Sequence, residues 1–195
     1  MKTIGLTGGI GAGKSYVAQI FQALSVPVYN SDERAKELYH KPEIKNQVIE
    51  LLGNEAYLNN ALNKVFIAQK VFQSQELLKA LNQIIHPAVG KDFKSWQSGL
   101  KAKYCIKEAA ILFESGSYKT CDQVINVLAS PNIRIERVMK RSNMSKAEVQ
   151  ARMKKQWSEQ ERTKHADYLV FNNAEDKLLE QVLSIHESIL RSTTV

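Results

Sequence analysis

A glycine-rich run near the N-terminus has the residue types and spacing needed to bind a phosphate chain. Residues 8–15 read Gly-Gly-Ile-Gly-Ala-Gly-Lys-Ser and match the pattern G-x-x-x-x-G-K-S/T in full. Glycines let backbone N–H groups turn toward an anion, and a helix that begins at the lysine adds its positive dipole end. Lys14 supplies a charge for the β- and γ-phosphates, and the Ser15 hydroxyl can ligate Mg²⁺. The run therefore predicts a nucleoside triphosphate site.

The predicted nucleotide contacts cover this whole phosphate-binding loop. They are Gly8, Gly9, Gly11, Ala12, Gly13, Lys14, Ser15 and Tyr16. Tyr16 stands where Ser or Thr often follows the motif, so only its backbone N–H is expected to reach an α-phosphate oxygen. ATPases, GTPases and sulfotransferase-like enzymes use the same loop, so the motif alone does not indicate a kinase.

A carboxylate follows the second predicted strand, at Asp32. Ligands of open parallel sheets gather at the carboxyl ends of the strands, which would bring Asp32 near the γ-phosphate. There it could accept the proton of an acceptor hydroxyl. The alternative is an N-cap for the helix predicted to begin at Glu33, a position that Ser31 could fill equally well.

Positive charge is concentrated in one segment. Residues 134–164 contain ten Lys or Arg and four Glu, in a chain whose formal net charge is +7. Arg134, Arg137 and Arg141 share one helical face, and guanidinium groups match phosphate oxygens in bidentate geometry. We therefore predict a lid that delivers arginine to the transferring phosphoryl group. A solvated helix face with Glu partners, or a nucleic-acid-binding arm, are the alternatives.

Five further positions lie at predicted strand or helix ends or in the predicted core. His86 precedes a proline and is expected to end an apolar helix in a structural role, and Leu112 is expected in the core. Glu108 ends a predicted strand and could hold Mg²⁺ through water or cap a turn, and Glu114 would follow on the same rim. The amide of Asn172 could read an adenine edge or form a turn.

Hydrophobic periodicity predicts an α/β fold with a parallel sheet between two helical layers. Strands are predicted at residues 3–7, 26–29, 104–108, 123–129 and 168–171, and helices at 14–24 and 174–190. Residues 32–100 read as several helices without a clear strand, and residues 131–165 as a charged helical segment. The prediction is one P-loop domain spanning 1–195, with a core (1–31, 101–130 and 166–195), a helical acceptor-binding insert and a helical lid.

Composition bounds the remaining function classes. No apolar run in the 195 residues approaches the roughly 20 needed to span a bilayer, and the N-terminus does not read as a signal peptide. The two cysteines, Cys105 and Cys121, form no metal-binding pair. We expect a cytoplasmic protein without membrane or nucleic-acid partners.

The assembly of motifs resembles the dephospho-coenzyme A kinase family of P-loop enzymes over nearly the full chain. Residues 5–15 are close to the family's opening G-L-T-G-G-I-G-S-G-K-S/T. The other matching features are Asn30-Ser31-Asp32 for D-A-D, His86-Pro87 for H-P, residues 108–114 for D-x-P-L-L-F-E, Arg137 and Arg141 for the lid arginines, Gln156 after the lid, and residues 166–172 for A-D-x-V-I-x-N.

This resemblance implies ATP and Mg²⁺ as donor and the ribose 3′-hydroxyl of dephospho-coenzyme A as acceptor. It implies catalytic roles for Asp32, Lys14 and Arg141. It also implies nucleotide contacts from Arg137, Arg141 and Asn172, and acceptor contacts from Thr7, Asp32, Lys64, His86, Leu112 and Glu114. The chain departs from the family at Asn30, Glu108 and Ala110, and at Lys64, which stands for an arginine and loses bidentate phosphate binding.

Two other function classes remain open from the residues. A nucleoside or nucleoside-monophosphate kinase would have a compact base pocket instead of a long groove for a pantetheine arm. A nucleotide-binding regulatory or nucleic-acid module would lack an acceptor cavity and would bind DNA or RNA in a strongly salt-dependent way.

Overall fold

The computed structural model describes residues 1–193, and the chain divides into two compact units. One unit comprises Met1–Asn30 and Leu100–Val195, and the other comprises Ser31–Gly99. The second unit differs by one residue at each end from the predicted insert, and the lid segment belongs to the first unit. The role of the second unit as an acceptor-binding insert remains a prediction.

The described elements alternate between strands and helices in the first unit and are mainly helical in the second. The strands are β1 (Lys2–Gly8), β2 (Val28–Asn30), β3 (Tyr57–Leu58), β4 (Ala61–Leu62), β5 (Tyr104–Glu108), β6 (Gln123–Leu128) and β7 (Tyr168–Phe171). The helices are α1 (Lys14–Ala23), α2 (Ser31–Leu38), α3 (Pro42–Leu52), α4 (Lys64–Gln73), α5 (Gln75–Ser98), α6 (Pro131–Arg141), α7 (Lys146–Lys154), α8 (Glu159–Lys164) and α9 (Leu178–Arg191).

The first unit is built on a parallel sheet with the order β2-β5-β1-β6-β7. Every residue of β5 is buried, as expected for a strand covered on both faces. On one face, Ile4, Ile106 and Ile125 pack in the same core as Phe21 of α1 and Val182 of α9. The sheet therefore holds the carboxyl end of β1 and the start of α1 in a rigid arrangement.

Two predicted boundaries of this unit are wrong for local reasons. The second strand begins at Val28 instead of residue 26, since Pro27 has no N–H to contribute to the ladder. The last helix begins at Leu178 instead of residue 174, because Asn173 forms a turn in which its side-chain amide donates to Asp176 at 2.8 Å.

The second unit contains a small hairpin that the prediction of helices alone missed. Strands β3 and β4 pair in antiparallel fashion across Asn59 and Asn60, whose φ angles of 48° and 69° suit a tight turn. Two residues per strand are too few for an alternating pattern to be recognised. The hairpin residue Tyr57 joins a core with Val48 and Ile85.

Helix α5 does not end at His86, so that prediction is also wrong. The helix continues through Pro87 for eleven more residues to Ser98. Proline removes one hydrogen bond to the preceding turn, but Leu81, Ile85 and Phe93 are buried on both sides of it. The burial of this face explains why the helix tolerates the proline.

The basic segment forms helices α6, α7 and α8. Helices α7 and α8 each begin with a capping box, formed by Ser145 with Glu148 and by Ser158 with Glu161. Within residues 1–193, no helix is both long and apolar enough to cross a bilayer.

Candidate active site

The phosphate-binding loop connects β1 to α1 and is closely covered by other segments of the first unit. Gly13 has a φ of 100°, and a Cβ atom there would lie 2.0 Å from Nδ2 of Asn172. A Cβ atom at Gly9 would lie 2.1 Å from Nη2 of Arg134. Side chains at either glycine would therefore collide with groups that pack against the loop.

Lys14 is the first residue of α1, and its Nζ donates to the carbonyl of Gly8 at 3.1 Å. The N–H groups that open a helix have no carbonyl partner in a preceding turn, so they can face an anion. Two of the residues predicted to contact the nucleotide have backbone N–H groups that are hydrogen-bonded within the loop. The Ala12 N–H donates to the Gly9 carbonyl at 3.0 Å, and the Tyr16 N–H donates to the Gly13 carbonyl at 3.1 Å. The Tyr16 side chain is exposed.

A set of oxygen ligands lies beside the loop at the carboxyl ends of β2 and β5. The Ser15 hydroxyl donates to Oε1 of Glu108 at 3.3 Å, and Nδ2 of Asn30 donates to Oε2 of the same carboxylate at 3.1 Å. Asn30 and Glu108 are register partners in the sheet, which explains their contact. A hydroxyl, a carboxylate and an amide oxygen are the hard ligands that Mg²⁺ prefers, so these residues fit that ion.

Side chains from the lid segment and the end of β7 hold the backbone of the loop. Gln156 accepts from the Ile10 N–H at 2.8 Å and donates to the carbonyl of Ala110 at 3.1 Å. Nε of Arg134 donates to the Ile10 carbonyl at 3.0 Å. Ile10 also packs against a cluster that includes Ile135, Val138 and Val149.

Asn172 is buried, and its Nδ2 donates to the carbonyl of Ala12 at 2.8 Å. This contact spans 160 residues of sequence, so no local signal could predict it. In this structure the amide hydrogen-bonds the phosphate-binding loop. The predicted contact of Asn172 with adenine remains a prediction.

The lid arginines differ in their surroundings. Arg134 is buried, and the Glu159 carboxylate lies 3.6 Å from its guanidinium. Burial lowers the pKa of Arg134, the neighbouring Arg162 lowers it further, and Glu159 partly offsets these effects. Arg137 reaches the Ala12 carbonyl at 3.5 Å, at the limit of a hydrogen bond. Arg141 is exposed at the end of α6.

The glutamates of the lid do not form ion pairs with Arg137 or Arg141 in the described part of the chain. Glu136 pairs with Lys140 at 2.7 Å. Glu148 and Glu161 accept hydrogen bonds from serines in their capping boxes, which lowers their pKa. Glutamates do pair with Arg134 and Lys140 of α6, and the pKa of Glu136 is lowered by Lys140 and, to a smaller extent, by Arg137, so the alternative of a solvated face with glutamate partners stays open.

Two residues predicted to contact the acceptor have buried side chains, and their contact with the acceptor remains a prediction. Leu112 has no exposed surface and packs with Phe113 and Val124. Thr7 is almost fully buried, and its hydroxyl donates to the carbonyl of Ala109 at 2.9 Å. Both side chains point into the protein because the motifs that contain them also form its core.

Glu114 serves the lid segment in this structure. Its Oε1 accepts from the backbone N–H of Trp157 at 2.8 Å. Desolvation lowers the pKa of the buried Arg162 guanidinium, and the charge of Glu114 partly offsets that shift. The indole of Trp157 stacks on Phe113 with ring centroids 5.3 Å apart. The predicted contact of Glu114 with the acceptor remains a prediction.

The remaining predicted residues belong to the second unit. Asp32 is exposed in the first turn of α2, where its negative charge interacts favourably with the helix dipole. It lies inside the helix and is therefore not the N-cap residue. Lys64 is exposed at the start of α4. His86 lies inside α5, and burial lowers its pKa.

Helix α2 is attached to α5 by an ion pair that the sequence reading missed. Nε and Nη2 of Arg34 contact the two carboxylate oxygens of Asp92 at 2.9 and 2.8 Å. Such a bidentate pair fixes orientation as well as distance. It therefore positions the helix that carries Asp32.

The sequence is similar to proteins named dephospho-CoA kinase over almost its whole length. The profile of that family matches residues 2–177. A protein of this name from Porphyromonas gingivalis is 44% identical over 191 residues, which cover 97% of this chain and 95% of the relative. One from Bacteroides fragilis is 36% identical and covers 93% of this chain and 90% of its own.

Solved structures show the same fold. A protein from Thermus thermophilus superposes with a TM-score of 0.88 at 32% identity, covering 97% of both chains. A dephospho-CoA kinase from Campylobacter jejuni gives a TM-score of 0.70 at 20% identity over 98% of each chain. The predicted P-loop kinase fold, with helices on both faces of a parallel sheet, is confirmed.

Proposed function

The chain belongs to the dephospho-CoA kinase family, and we propose that it transfers the γ-phosphoryl group of ATP to the ribose 3′-hydroxyl of dephospho-CoA, giving coenzyme A. This is the last step of coenzyme A biosynthesis. The observation that carries the proposal is the complete phosphate-binding loop at a strand–helix junction, with Ser15 and Glu108 in contact beside it.

The loop binds the triphosphate of ATP. Its glycines and the first turn of α1 supply N–H donors at the positive end of the helix dipole. The ammonium group of Lys14 moves from the Gly8 carbonyl to the β- and γ-phosphates. Lys14 thereby stabilises the charge that develops on the leaving oxygen between these phosphates.

Mg²⁺ fits the oxygen ligands of this edge and, when bound, neutralises charge on the β- and γ-phosphate oxygens. Ser15 would supply a ligand through its hydroxyl, and the Glu108 carboxylate, which accepts a hydrogen bond from that hydroxyl, would orient it. The amide of Asn30 holds the second oxygen of Glu108, which keeps the carboxylate plane fixed.

Asp32 accepts the proton of the acceptor hydroxyl as its oxygen attacks the γ-phosphorus. The bond from that phosphorus to the β,γ-bridging oxygen breaks, and ADP leaves with the bonding electrons. The position of Asp32, two residues after Asn30 in the chain, and its attachment through α2 to Asp92 support this role. Its exposure leaves the carboxylate accessible to a substrate.

Arg137 and Arg141 contact the equatorial oxygens of the transferring group when the lid closes. The position of both arginines on one face of α6, with Arg137 3.5 Å from the Ala12 carbonyl of the loop, supports this role. Lys64 and His86 contribute to binding of the acceptor in the second unit. We also propose a cytoplasmic location, consistent with two free thiols, Cys105 and Cys121.

A coupled ADP-release assay tests the proposed function. Dephospho-CoA, AMP, CMP, dTMP and shikimate are compared as acceptors at equal concentration with ATP and Mg²⁺. We expect turnover with dephospho-CoA at least about 100 times that of any other acceptor. Turnover with a monophosphate but not with dephospho-CoA would overturn the substrate assignment, and strong salt-dependent DNA binding without turnover would favour a nucleic-acid module.

A further inference from the structure

We infer that Arg134 and Asn172 are positioning residues: they direct two amides of the phosphate-binding loop toward the triphosphate without themselves contacting the nucleotide. The inference deepens the proposed function, because it takes the polyphosphate of the donor as the ligand of this loop. It assigns to both side chains a role different from lid closure or base recognition.

The geometry of the peptide bond carries the first step. In a trans peptide unit the C=O of one residue and the N–H of the next lie in one plane and point in opposite directions. A group that holds a carbonyl on the outer side of a loop therefore turns the following N–H toward the inner side. In the loop, the Ile10 carbonyl is coupled in this way to the Gly11 N–H, and the Ala12 carbonyl to the Gly13 N–H.

Arg134 holds the first of these carbonyls. Its Nε donates to Ile10 O at 3.0 Å, and the guanidinium is buried so closely against the loop that no Cβ atom fits at Gly9. Burying a guanidinium is costly unless it is hydrogen-bonded and paired. The Ile10 carbonyl is the hydrogen-bond partner, and the Glu159 carboxylate, 3.6 Å from the guanidinium, is the ion-pair partner. The side chain is therefore held in one place.

Asn172 holds the second carbonyl. Its Nδ2 donates to Ala12 O at 2.8 Å from a buried position at the end of β7. The neighbouring Gly13 takes a left-handed conformation, and any Cβ atom there would displace the Asn172 amide. Gly9 and Gly13 thus give these two side chains access to the outer side of the loop.

The consequence is preorganisation. A nest of amides that already points inward does not lose free energy to reorientation when an anion binds. Removing Arg134 takes away the side-chain donor of the Ile10 carbonyl, and removing Asn172 leaves the Ala12 carbonyl only the longer contact from Arg137 at 3.5 Å, so either peptide unit can rotate more readily. The affinity for polyphosphate should decrease while the acceptor site is unaffected.

The test uses Asn172→Leu, a near-isosteric change that removes the donor without adding charge. The matched control is Gln181→Leu, since the Gln181 amide bonds Phe171 N and O at 2.8 and 3.0 Å on the same strand and does not touch the loop. Binding of ATP and of tripolyphosphate, which has no base or ribose, is measured by calorimetry. Melting temperature is recorded with and without each ligand.

We expect Asn172→Leu to weaken both ligands at least tenfold and Gln181→Leu to weaken neither by more than twofold. Tripolyphosphate binding at the wild-type level would overturn the inference for Asn172. If ATP alone binds more weakly, Asn172 contacts the base instead. A lower melting temperature with unchanged ligand affinity would assign it a structural role only.

A second pair of variants, Arg134→Lys and Arg134→Met, tests the inference independently through tripolyphosphate affinity. This pair replaces Asn172→Leu if that variant does not fold. Lysine retains one donor for the Ile10 carbonyl, so we expect tripolyphosphate affinity to fall less in Arg134→Lys than in Arg134→Met. Equal affinity in wild type and Arg134→Met would overturn the inference for Arg134. Because tripolyphosphate binding needs no acceptor, this result is separable from wild-type turnover with dephospho-CoA.

Discussion

The Ser15 hydroxyl donates to Oε1 of Glu108 at 3.3 Å, which joins the first turn of α1 to the last residue of β5. The two residues lie 93 positions apart in sequence and meet because β1 and β5 are neighbouring parallel strands. Ser15 is the proposed ligand of Mg²⁺, so we expect Glu108 to influence binding of that ion through the hydroxyl. The motif resemblance implies an aspartate at this position, and the longer side chain of Glu108 reaches the Ser15 hydroxyl.

Replacing Glu108 by Gln should alter the dependence of the rate on Mg²⁺. An amide lacks the negative charge that holds the hydroxyl and attracts the cation. We expect the Mg²⁺ concentration for half-maximal rate to rise about tenfold at fixed ATP, consistent with the 10–100-fold cost of losing such a partner. An unchanged Mg²⁺ titration curve would show that Glu108 only supports the sheet edge.

The change Asp32→Asn should lower kcat by about 10²–10⁴ with little effect on ATP affinity, because a general base acts mainly in the transition state. Steady-state kinetics with both substrates would measure this. The neighbouring exposed carboxylate Glu33, paired with Lys36 at 2.6 Å, provides the control Glu33→Gln, which should retain normal kcat. Near wild-type kcat in Asp32→Asn would leave Asp32 with a helix-stabilising role alone.

Arg141→Lys should reduce kcat at least tenfold while leaving the KM for dephospho-CoA within about threefold. Lysine keeps the charge but loses the bidentate geometry that matches phosphate oxygens. The control is Lys140→Met at the adjacent position, whose amine pairs with Glu136 at the surface. If both variants have the same kcat, the charge of α6 does not reach the transferring group.

Burial raises the pKa of the Cys121 thiol to about 11, and Cys105 is completely buried. Only the thiolate reacts with iodoacetamide, so native protein at pH 8 should be labelled at least about 100 times more slowly than unfolded protein. Intact-mass measurement over time would follow the labelling. Rapid modification of the native protein would contradict the packing around β5 and the segment that follows it.

The same shift has a consequence for stability. The unfolded thiol loses its proton near pH 9, whereas the folded one keeps it to about pH 11. The folded state therefore binds more protons in this window, and the contribution of Cys121 to stability decreases as pH rises from about 9 to 11. Cys121→Ser should reduce that decrease in a comparison of urea midpoints.

Sequence reasoning located the features that depend on neighbouring residues. The phosphate-binding loop and the strands Tyr104–Glu108 and Tyr168–Phe171 were predicted at their observed positions, because glycine spacing and runs of apolar residues are local signals. The hairpin at Asn59 was missed, because its strands have only two residues each. A turn after the last strand was one of two alternatives, and the contact of Asn173 with Asp176 shows that a turn forms there.

The roles of individual side chains were harder to predict than the motifs that contain them. Arg134 and Asn172 find their loop carbonyls across 124 and 160 residues, which only the folded sheet brings together. Thr7 and Leu112 lie within matching motifs, yet their side chains face inward. A motif identifies a segment of the site but not which of its faces meets the ligand.

Phosphorus NMR of the product identifies the oxygen of dephospho-CoA that receives the phosphoryl group. The protein is incubated with ATP, Mg²⁺ and dephospho-CoA, and the new phosphorus resonance is assigned through its coupling to the ribose protons. We predict a phosphomonoester on the 3′-oxygen, formed in equal amount to ADP. ADP accompanied by inorganic phosphate, or a phosphate attached to any other oxygen of dephospho-CoA, would contradict it.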